Sequence, residues 1–280
     1  MFNNPYLEIV RSLFRRPASH PLMAIPSLFP GVVDVWRFLL ERMASKTPVA
    51  RLLKSLTEQI EKKKKERDQG VTSTTDFIDI FLDAEVEESE LTFGEQTFGE
   101  YRNVSRKMHP DEIVQQSFIF LLAGFDTTAT SLSFATHFLA NHPEIQERVR
   151  EEVDAVCPDE SIEYDSMAEL KYTECVIKES LRHFPLSSLV VSRECAEDTE
   201  VCGYKIRKGD NIQLDSWSMH MDKEIWGEDA EEFRPERWLE ESPKNRVAFQ
   251  SFGGGPRMCI GMRLAYMEEK MLLAHIMKRF

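Results

Sequence analysis

Apolar side chains recur at helical spacing along most of the chain. The clearest run includes Phe118, Leu122 and Phe125 and predicts one long helix over residues 111–140, which His142 and Pro143 end. The same spacing predicts the other helices, over residues 3–14, over 45–85 as a long helix followed by a shorter one, over 144–156, around 167–183 and from Gly261 onward.

Short stretches of β character lie between the last two predicted helices. These stretches are Leu189–Val191, Glu200–Ile206 and Asn211–Leu214, and Gly203 and Gly209 mark turns among them. The expected fold class is therefore mainly α with small β-sheet elements.

Composition narrows the possible functions. A chain of 280 residues with 42% hydrophobic content can bury a core as one large or two smaller domains. Its net charge of −13 argues against nucleic acid as the main partner. The five cysteines are odd in number and form no Cys-x-x-Cys pair, so neither a disulfide framework nor a zinc site is indicated.

Three segments carry patterns without obvious chemistry. Residues 20–40 are apolar but interrupted by prolines, and we find no run of about 18 apolar residues that would predict a spanning helix. The charged run 61–67 predicts a solvated helical face, and the acidic stretch 83–100 predicts an exposed loop.

The segment 252–261 surrounds Cys259 with features that an iron-bound thiolate requires. Three successive glycines, residues 253–255, let backbone N–H groups approach the sulfur closely. Because helical spacing resumes at Gly261, Cys259 precedes a helix N-terminus, whose partial positive charge favours the thiolate. Arg257 is suited to a haem propionate. We interpret the segment as a haem-ligand loop; alternatively, Cys259 is a buried small hydrophobic residue.

The loop resembles a known family. Phe252, Gly255, Arg257, Cys259 and Gly261 occupy the fixed positions of the Phe-x-x-Gly-x-Arg-x-Cys-x-Gly signature of cytochrome P450 haem-thiolate monooxygenases. The resemblance implies the partial cytochrome P450 fold as one haem-thiolate domain over residues 1–280. It also implies haem b (iron protoporphyrin IX) as cofactor, Cys259 as the axial iron ligand and the other four residues as part of the cofactor site.

A second motif, AGFDTT, lies inside the predicted long helix. A mid-helix glycine costs about 1 kcal/mol relative to alanine, and an acid is costly to bury, so the motif indicates function. Ala123, Gly124, Thr127 and Ser131 share one face of small side chains that could lie over a flat cofactor. The motif resembles the family's oxygen-activating motif, which implies that Thr127 hydrogen-bonds dioxygen and Asp126 relays protons. Alternatively, the threonines bond back to helix carbonyls.

Two further motifs follow in the family's order. Glu179 and Arg182 stand three residues apart on a predicted helix, and the FRPERW stretch contains Arg237. By resemblance, these three residues form a buried structural triad. Arg193 matches a second propionate-binding position, and residues 186–190 would project toward the substrate.

The implied activity is insertion of one atom of O₂ into an apolar organic substrate of the lipid, steroid or xenobiotic class. The implied partners are an NADPH-dependent flavin reductase, the substrate and a membrane surface, and the implied location is the cytoplasmic face of the endoplasmic reticulum membrane. From Ser242 to Phe280 there are seven basic and two acidic side chains, which predicts that the reductase docks on the cysteine side.

The chain also departs from the family. No tryptophan is followed four residues later by arginine or lysine, although the family holds a propionate with a Trp-x-x-x-Arg helix. We therefore expect a partial sequence that lacks the N-terminal part and the extreme C-terminus. Three rivals remain open: a family member that rearranges peroxides, a truncated haem-binding or non-catalytic remnant, and a helical interaction module.

Overall fold

The computed structural model describes residues 48–70, 76–84, 108–159, 161–186, 192–239 and 247–280. The chain divides into two compact units, residues 1–123 and 124–280. The predictions for residues 3–14 and 20–40, and nearly all of the predicted acidic loop, lie outside the described residues.

The first unit contains α1 (Pro48–Asp68), α2 (Phe77–Asp83) and the beginning of α3 (Pro110–Asn141). This confirms the predicted long and shorter helices over 45–85. Asp76 caps α2 by accepting the backbone N–H groups of Ile78 and Asp79. The prediction of a solvated charged face is wrong for Lys63, because its side chain is only 14% exposed and its ammonium lies 2.8 Å from Asp79.

The second unit packs four helices around one hydrophobic core. They are the later part of α3, α4 (Pro143–Val156), α5 (Lys171–His183) and α8 (Met262–Arg279). Their buried side chains include Ala135, Leu139, Val149, Val153, Val176, Ile177, Leu273 and Ala274. The residues named on α3 and on α4 lie four positions apart, and buried Leu181 and Met277 follow Ile177 and Leu273 at the same spacing. Each helix therefore presents one apolar face to the core. The predictions for 111–140, 144–156 and the helix after Gly261 are confirmed.

The beginning of α5 differs from the prediction. Residues Asp165–Ala168 form a separate 3₁₀ helix, and Leu170 has a non-helical ψ of 71°. The first N–H groups of α5 are occupied by α4, because the Glu152 carboxylate accepts the backbone N–H of Tyr172 at 2.6 Å and that of Thr173 at 2.8 Å. A carboxylate cap at the positive end of a helix favours a start at this point.

Four short strands form two antiparallel pairs. β1 (Ser192–Glu194) pairs with β4 (Asn211–Gln213), and β2 (Thr199–Val201) pairs with β3 (Tyr204–Ile206). The predicted stretch 200–206 is thus a hairpin, since Cys202 and Gly203 have φ of 52° and 83° and reverse the chain. The prediction for Leu189–Val191 lies outside the described residues.

The remaining described helices connect the strands to the cysteine loop. They are α6 (Ser216–His220), α7 (Lys223–Trp226) and the 3₁₀ helices Pro235–Trp238 and Gly255–Arg257. Trp226 and Trp238 pack together in this region, with ring centroids 5.4 Å apart. Their burial gives the connecting segment an apolar cluster of its own.

By length and hydropathy, α3 is the one described helix that could cross a membrane. No spanning helix is predicted here from the sequence, because that prediction requires an uninterrupted apolar run and polar residues such as Asp126 interrupt α3. The C-terminal half of α3 packs against the hydrophobic core, and Ala135 and Leu139 in it are fully buried.

Candidate functional site

The loop that precedes α8 holds Cys259 in an open position. Gly253 and Gly255 each have φ of +70°, a left-handed conformation that other residues rarely adopt. These two bends let the Cys259 N–H donate to the Phe252 carbonyl at 2.8 Å and close the loop. Gly261 follows as the N-cap of α8, and an added Cβ there would lie 3.9 Å from the Cys259 sulfur.

Cys259 is an exposed free thiol, so the alternative that it is a buried hydrophobic residue is wrong. Arg257 is exposed two residues earlier, and within the described ranges no carboxylate pairs with it. Phe252 lies under the loop, 5.1 Å from the Tyr266 ring between centroids, and anchors it to α8. The loop thus presents an exposed thiol and an exposed guanidinium two residues apart.

Two polar contacts fix the segment that leads into this loop. The Gln250 N–H donates to His220 Nε2 at 2.9 Å, and the Ser251 hydroxyl donates to the Leu181 carbonyl at 2.9 Å. His220 Nδ1 in turn lies 3.0 Å from the Arg182 carbonyl. Since Nε2 accepts, Nδ1 carries the proton and His220 is neutral. Burial lowers the pKa of His220 to about 4, which favours this neutral form.

The structure brings Glu179, Arg182 and Arg237 together in the interior. Arg182 binds both carboxylate oxygens of Glu179, at 2.9 and 3.0 Å, and Arg237 Nε donates to the same carboxylate at 2.8 Å. Trp238 Nε1 donates to it at 2.9 Å. All three charged side chains are at most 2% exposed.

The remaining donors of the two guanidiniums reach backbone carbonyls. Arg182 Nη1 donates to the His220 carbonyl at 2.7 Å, and Arg237 Nη1 donates to the Trp226 carbonyl at 3.0 Å. Burial alone would raise the pKa of Glu179, but hydrogen bonds from His183 and Arg182 and the charges of Arg182 and Arg237 lower it to about 2. The ionised carboxylate therefore joins α5, α6 and the FRPERW segment beside the cysteine loop.

The AGFDTT motif lies on α3, with Asp126 half-buried and Ala123, Gly124 and Thr127 exposed. A Cβ added at Gly124 would meet no heavy atom within 4 Å, so this stretch of the helix has open space beside it. Small side chains next to open space are what a flat cofactor requires.

Ser131 does not share this open surface, and the prediction that it lines the same face is wrong. Its side chain is 2% exposed, and its hydroxyl donates to Glu269 Oε2 on α8 at 2.9 Å. Ser131 lies two helical turns after Ala123. Ala123 is exposed, whereas Ser131 is buried in the part of α3 that packs against the core. The local sequence does not predict the contact between Ser131 and Glu269, because these residues are 138 positions apart.

Arg193 lies on β1, and its exposed guanidinium donates only to the neighbouring Ser192 carbonyl among its described contacts, at 2.8 Å. Its predicted role toward a propionate stays a prediction. Residues 187–190 of the predicted substrate-facing stretch lie outside the described residues, and Leu186 packs partly buried against the core.

An open cleft of about 1160 Å³ lies beside the cysteine loop, and Phe252, Lys178 and Arg263 are among its lining residues. Lys270 also reaches it but is only 6% exposed, because its ammonium bonds the Met167 carbonyl at 3.1 Å and Glu174 at 2.5 Å. The prediction that counted Lys270 among basic groups available to a docking partner is therefore wrong.

Comparison with known proteins agrees with this geometry. The family model described as Cytochrome P450 matches residues 3–280. The chain is 43% identical over 295 residues to a Caenorhabditis elegans protein named cytochrome P450 CYP13A5, and 40% identical over 301 residues to CYP13A10 of the same organism. Each match covers 100% of this chain and 56% of the relative. The chain thus spans about half the length of the curated relatives it matches.

Proposed function

Because the chain belongs to the cytochrome P450 family, we propose that it carries the cysteine-side half of a haem-thiolate monooxygenase, with Cys259 as the axial ligand of iron. The observation that supports this most is the exposed Cys259 thiol on a loop bent by two left-handed glycines. The proposed reaction inserts one atom of O₂ into an apolar organic substrate, such as a lipid, steroid or xenobiotic.

The residues present fit haem. Cys259 offers a soft sulfur ligand two residues before the N-cap of α8. Arg257 has an exposed guanidinium suited to a propionate, and Arg193 is proposed for the second propionate. When bound, haem supplies the oxygen chemistry, and a thiolate ligand favours cleavage of the O–O bond.

On α3, Asp126 and Thr127 are the proposed proton-handling groups. Thr127 is exposed beside the open space at Gly124, so its hydroxyl can hold a proton where the reaction needs one. Asp126 is half-buried next to it in sequence and can resupply that proton from solvent. Ala123 and Gly124 keep the helix surface low enough for a planar group.

The Glu179, Arg182 and Arg237 triad is proposed to act at a distance. It contacts no reacting atom; its guanidiniums hold the backbone at His220 and Trp226, and His220 holds Gln250 ahead of the loop. The triad thereby fixes the base from which Cys259 projects.

The decisive experiment replaces Cys259 with serine in the haem-loaded protein. We expect Cys259→Ser to abolish the thiolate-type Soret band of the reduced, carbon-monoxide-bound form. Cys202→Ser is the matched control, because Cys202 is also an exposed free thiol but lies in the β2–β3 turn. Survival of the thiolate band in Cys259→Ser would overturn the assignment.

The peroxide-rearranging alternative predicts a different dependence on protons. Asp126→Asn keeps the shape of the side chain and removes its acid. We expect oxygen insertion to fall strongly in this variant while haem content is unchanged. Full activity would instead favour the peroxide-rearranging reaction, which needs no proton relay.

An NADPH-dependent flavin reductase is proposed to deliver electrons at the cysteine-side cleft. Arg263 is exposed there, unlike the paired Lys270. We expect Arg263→Glu to slow reductase-supported electron transfer most at low ionic strength, with Lys205→Glu on exposed β3 as the control. An unchanged rate and salt dependence would place the reductase elsewhere.

The proposed location is the cytoplasmic face of the endoplasmic reticulum membrane, which rests on resemblance to animal microsomal members of the family. Fractionation of cells that express the whole protein tests this: it should sediment with microsomes and be released by detergent. Recovery in the salt-washed supernatant would contradict it.

A further inference from the structure

A second acid–hydroxyl pair lies behind the proposed site. Glu269 is 1% exposed on α8, and its only described polar partner is the Ser131 hydroxyl on α3, at 2.9 Å. Ser131 follows Thr127 by one helical turn, and Glu269 lies on the helix whose N-cap follows Cys259 by two residues. This polar contact therefore links the helix of the proton-handling residues to the helix that follows the iron ligand, and the two helices also contribute to the same hydrophobic core.

We propose that Ser131 and Glu269 form a proton-responsive link that sets how α3 and α8 pack, and through them the spacing of Thr127 and Cys259 across the haem. The proposal rests on the proposed function, because it assigns those two residues to opposite sides of one cofactor. Ser131 and Glu269 are positioning residues, since neither reaches the reacting atoms.

The surroundings of Glu269 favour the neutral acid. The pKa of Glu269 is raised to about 7, mainly by burial and to a smaller degree by the charge of the neighbouring Glu268, while the Ser131 hydrogen bond lowers it. Within the described parts of the chain no lysine, arginine or histidine pairs with it. A buried carboxylate with one neutral donor is poorly stabilised, so its ionisation must draw in water or alter the helix contact.

The nearby cations are already engaged by other groups. Lys270, the next residue on α8, binds Glu174 of α5 and the Met167 carbonyl of the 3₁₀ helix. Lys178 of α5 binds the same Glu174 at 2.6 Å, and Arg150 of α4 donates to the Met277 carbonyl. Glu269 therefore changes charge without a cation to compensate it, which makes the α3–α8 contact the part of the structure that responds.

The test is a pH titration of the haem-loaded protein between pH 5.5 and 8.5, chosen as roughly 1.5 units on each side of the Glu269 pKa. We expect the infrared carbonyl band of a protonated carboxyl and the Soret spectrum to change together, with a midpoint near pH 7. Glu269→Gln should abolish both changes and hold the Soret spectrum at the low-pH form, because the amide mimics the neutral acid. Glu151→Gln, an exposed carboxyl on α4, should leave both titrations intact.

Ser131→Ala provides an independent test, because it should shift the midpoint of the titration and not abolish it. It removes the hydrogen bond that favours the carboxylate, so the midpoint should move to higher pH by about one unit. This result is informative even if Glu269→Gln folds poorly.

The outcomes separate this proposal from the proposed function. A Soret titration that persists with the same midpoint in Glu269→Gln, or an unmoved midpoint in Ser131→Ala, would overturn the link. Loss of the thiolate-type Soret band is governed by Cys259 and would not accompany either variant. If that band were already absent in the unsubstituted protein, the proposed function would fail, while the infrared titration would still report on Glu269.

Discussion

Glu179 shows how one carboxylate can organise several segments. It is fully buried, yet it accepts hydrogen bonds from Arg182, Arg237 and Trp238 and from the Arg234 backbone N–H. Two guanidiniums around one carboxylate would be costly to bury separately, since each charge loses its hydration. Their mutual pairing, together with the carbonyls that accept the remaining N–H groups, makes the arrangement stable.

We expect Glu179→Gln to destabilise the protein by about 3–5 kcal/mol, because it removes the carboxylate that lies between two buried guanidiniums and leaves Arg237 with the more distant Asp229 carboxylate, at 3.5 Å. Urea unfolding near pH 7 measures this, with Glu231→Gln as an exposed control in the neighbouring segment. Since the folded pKa of Glu179 lies at about 2, below its usual 4.5, its contribution is present above pH 4.5 and is lost as the pH falls toward 2. A loss no larger than that of the control would contradict the structural role.

At the scale of elements, glycines in α3 and in the cysteine loop have opposite requirements. Gly124 lies in a regular helix with open space beside it, whereas Gly255 has φ of +70°. The backbone at Gly124 therefore tolerates an added methyl group, whereas an added methyl group at Gly255 strains the backbone.

We expect Gly124→Ala to stabilise the haem-free protein by up to about 1 kcal/mol and Gly255→Ala to destabilise it by about 1–2 kcal/mol. Despite its higher stability, Gly124→Ala should take up haem less well, because the methyl occupies the space proposed for the cofactor. Denaturant unfolding and haem titration measure the two effects. Haem uptake equal to that of the parent would show that this face of α3 does not adjoin the cofactor.

For the whole molecule, two buried titrating groups give opposite dependences on pH. The pKa of His220 is lowered to about 4, so the unfolded chain binds the extra proton and stability is lost as the pH falls from 6.5 toward 4. The pKa of Glu269 is raised to about 7, so the folded protein holds the extra proton and stability is lost as the pH rises from 4.5 through 7. Between pH 4.5 and 6.5 the two dependences oppose each other.

Glu269→Gln should leave His220 as the main cause of the change in stability between pH 4.5 and 6.5. We expect the variant to be more stable than the parent above pH 7, by up to about 3 kcal/mol, and to lose stability more steeply on acidification. Thermal unfolding from pH 4.5 to 8 measures the profile. His220→Gln should remove the loss of stability on acidification. His275→Gln, on the exposed side of α8, should leave that loss unchanged. A parent and Glu269→Gln variant with parallel profiles would contradict this balance.

The local pattern of the chain determined much of the architecture. Apolar periodicity and the positions of His142, Pro143 and Gly261 predicted the long helix, α4 and α8 to within a few residues, because these features act over one or two helical turns. The spacing of the glycines around Cys259 likewise predicted a tight loop before a helix. The family resemblance, carried by short contiguous motifs, is confirmed by the match over residues 3–280.

Tertiary structure decided the contacts that join distant residues. Burial of Ser131 against Glu269, the pairing of Lys270 with Glu174, the Glu152 cap on α5 and the neutral His220 below the loop each join residues at least 20 positions apart. Such contacts depend on which helix faces meet in the core, and one sequence alone does not specify that choice. A local pattern sets the conformation of a segment, whereas the burial and charge of its side chains depend on what packs against it.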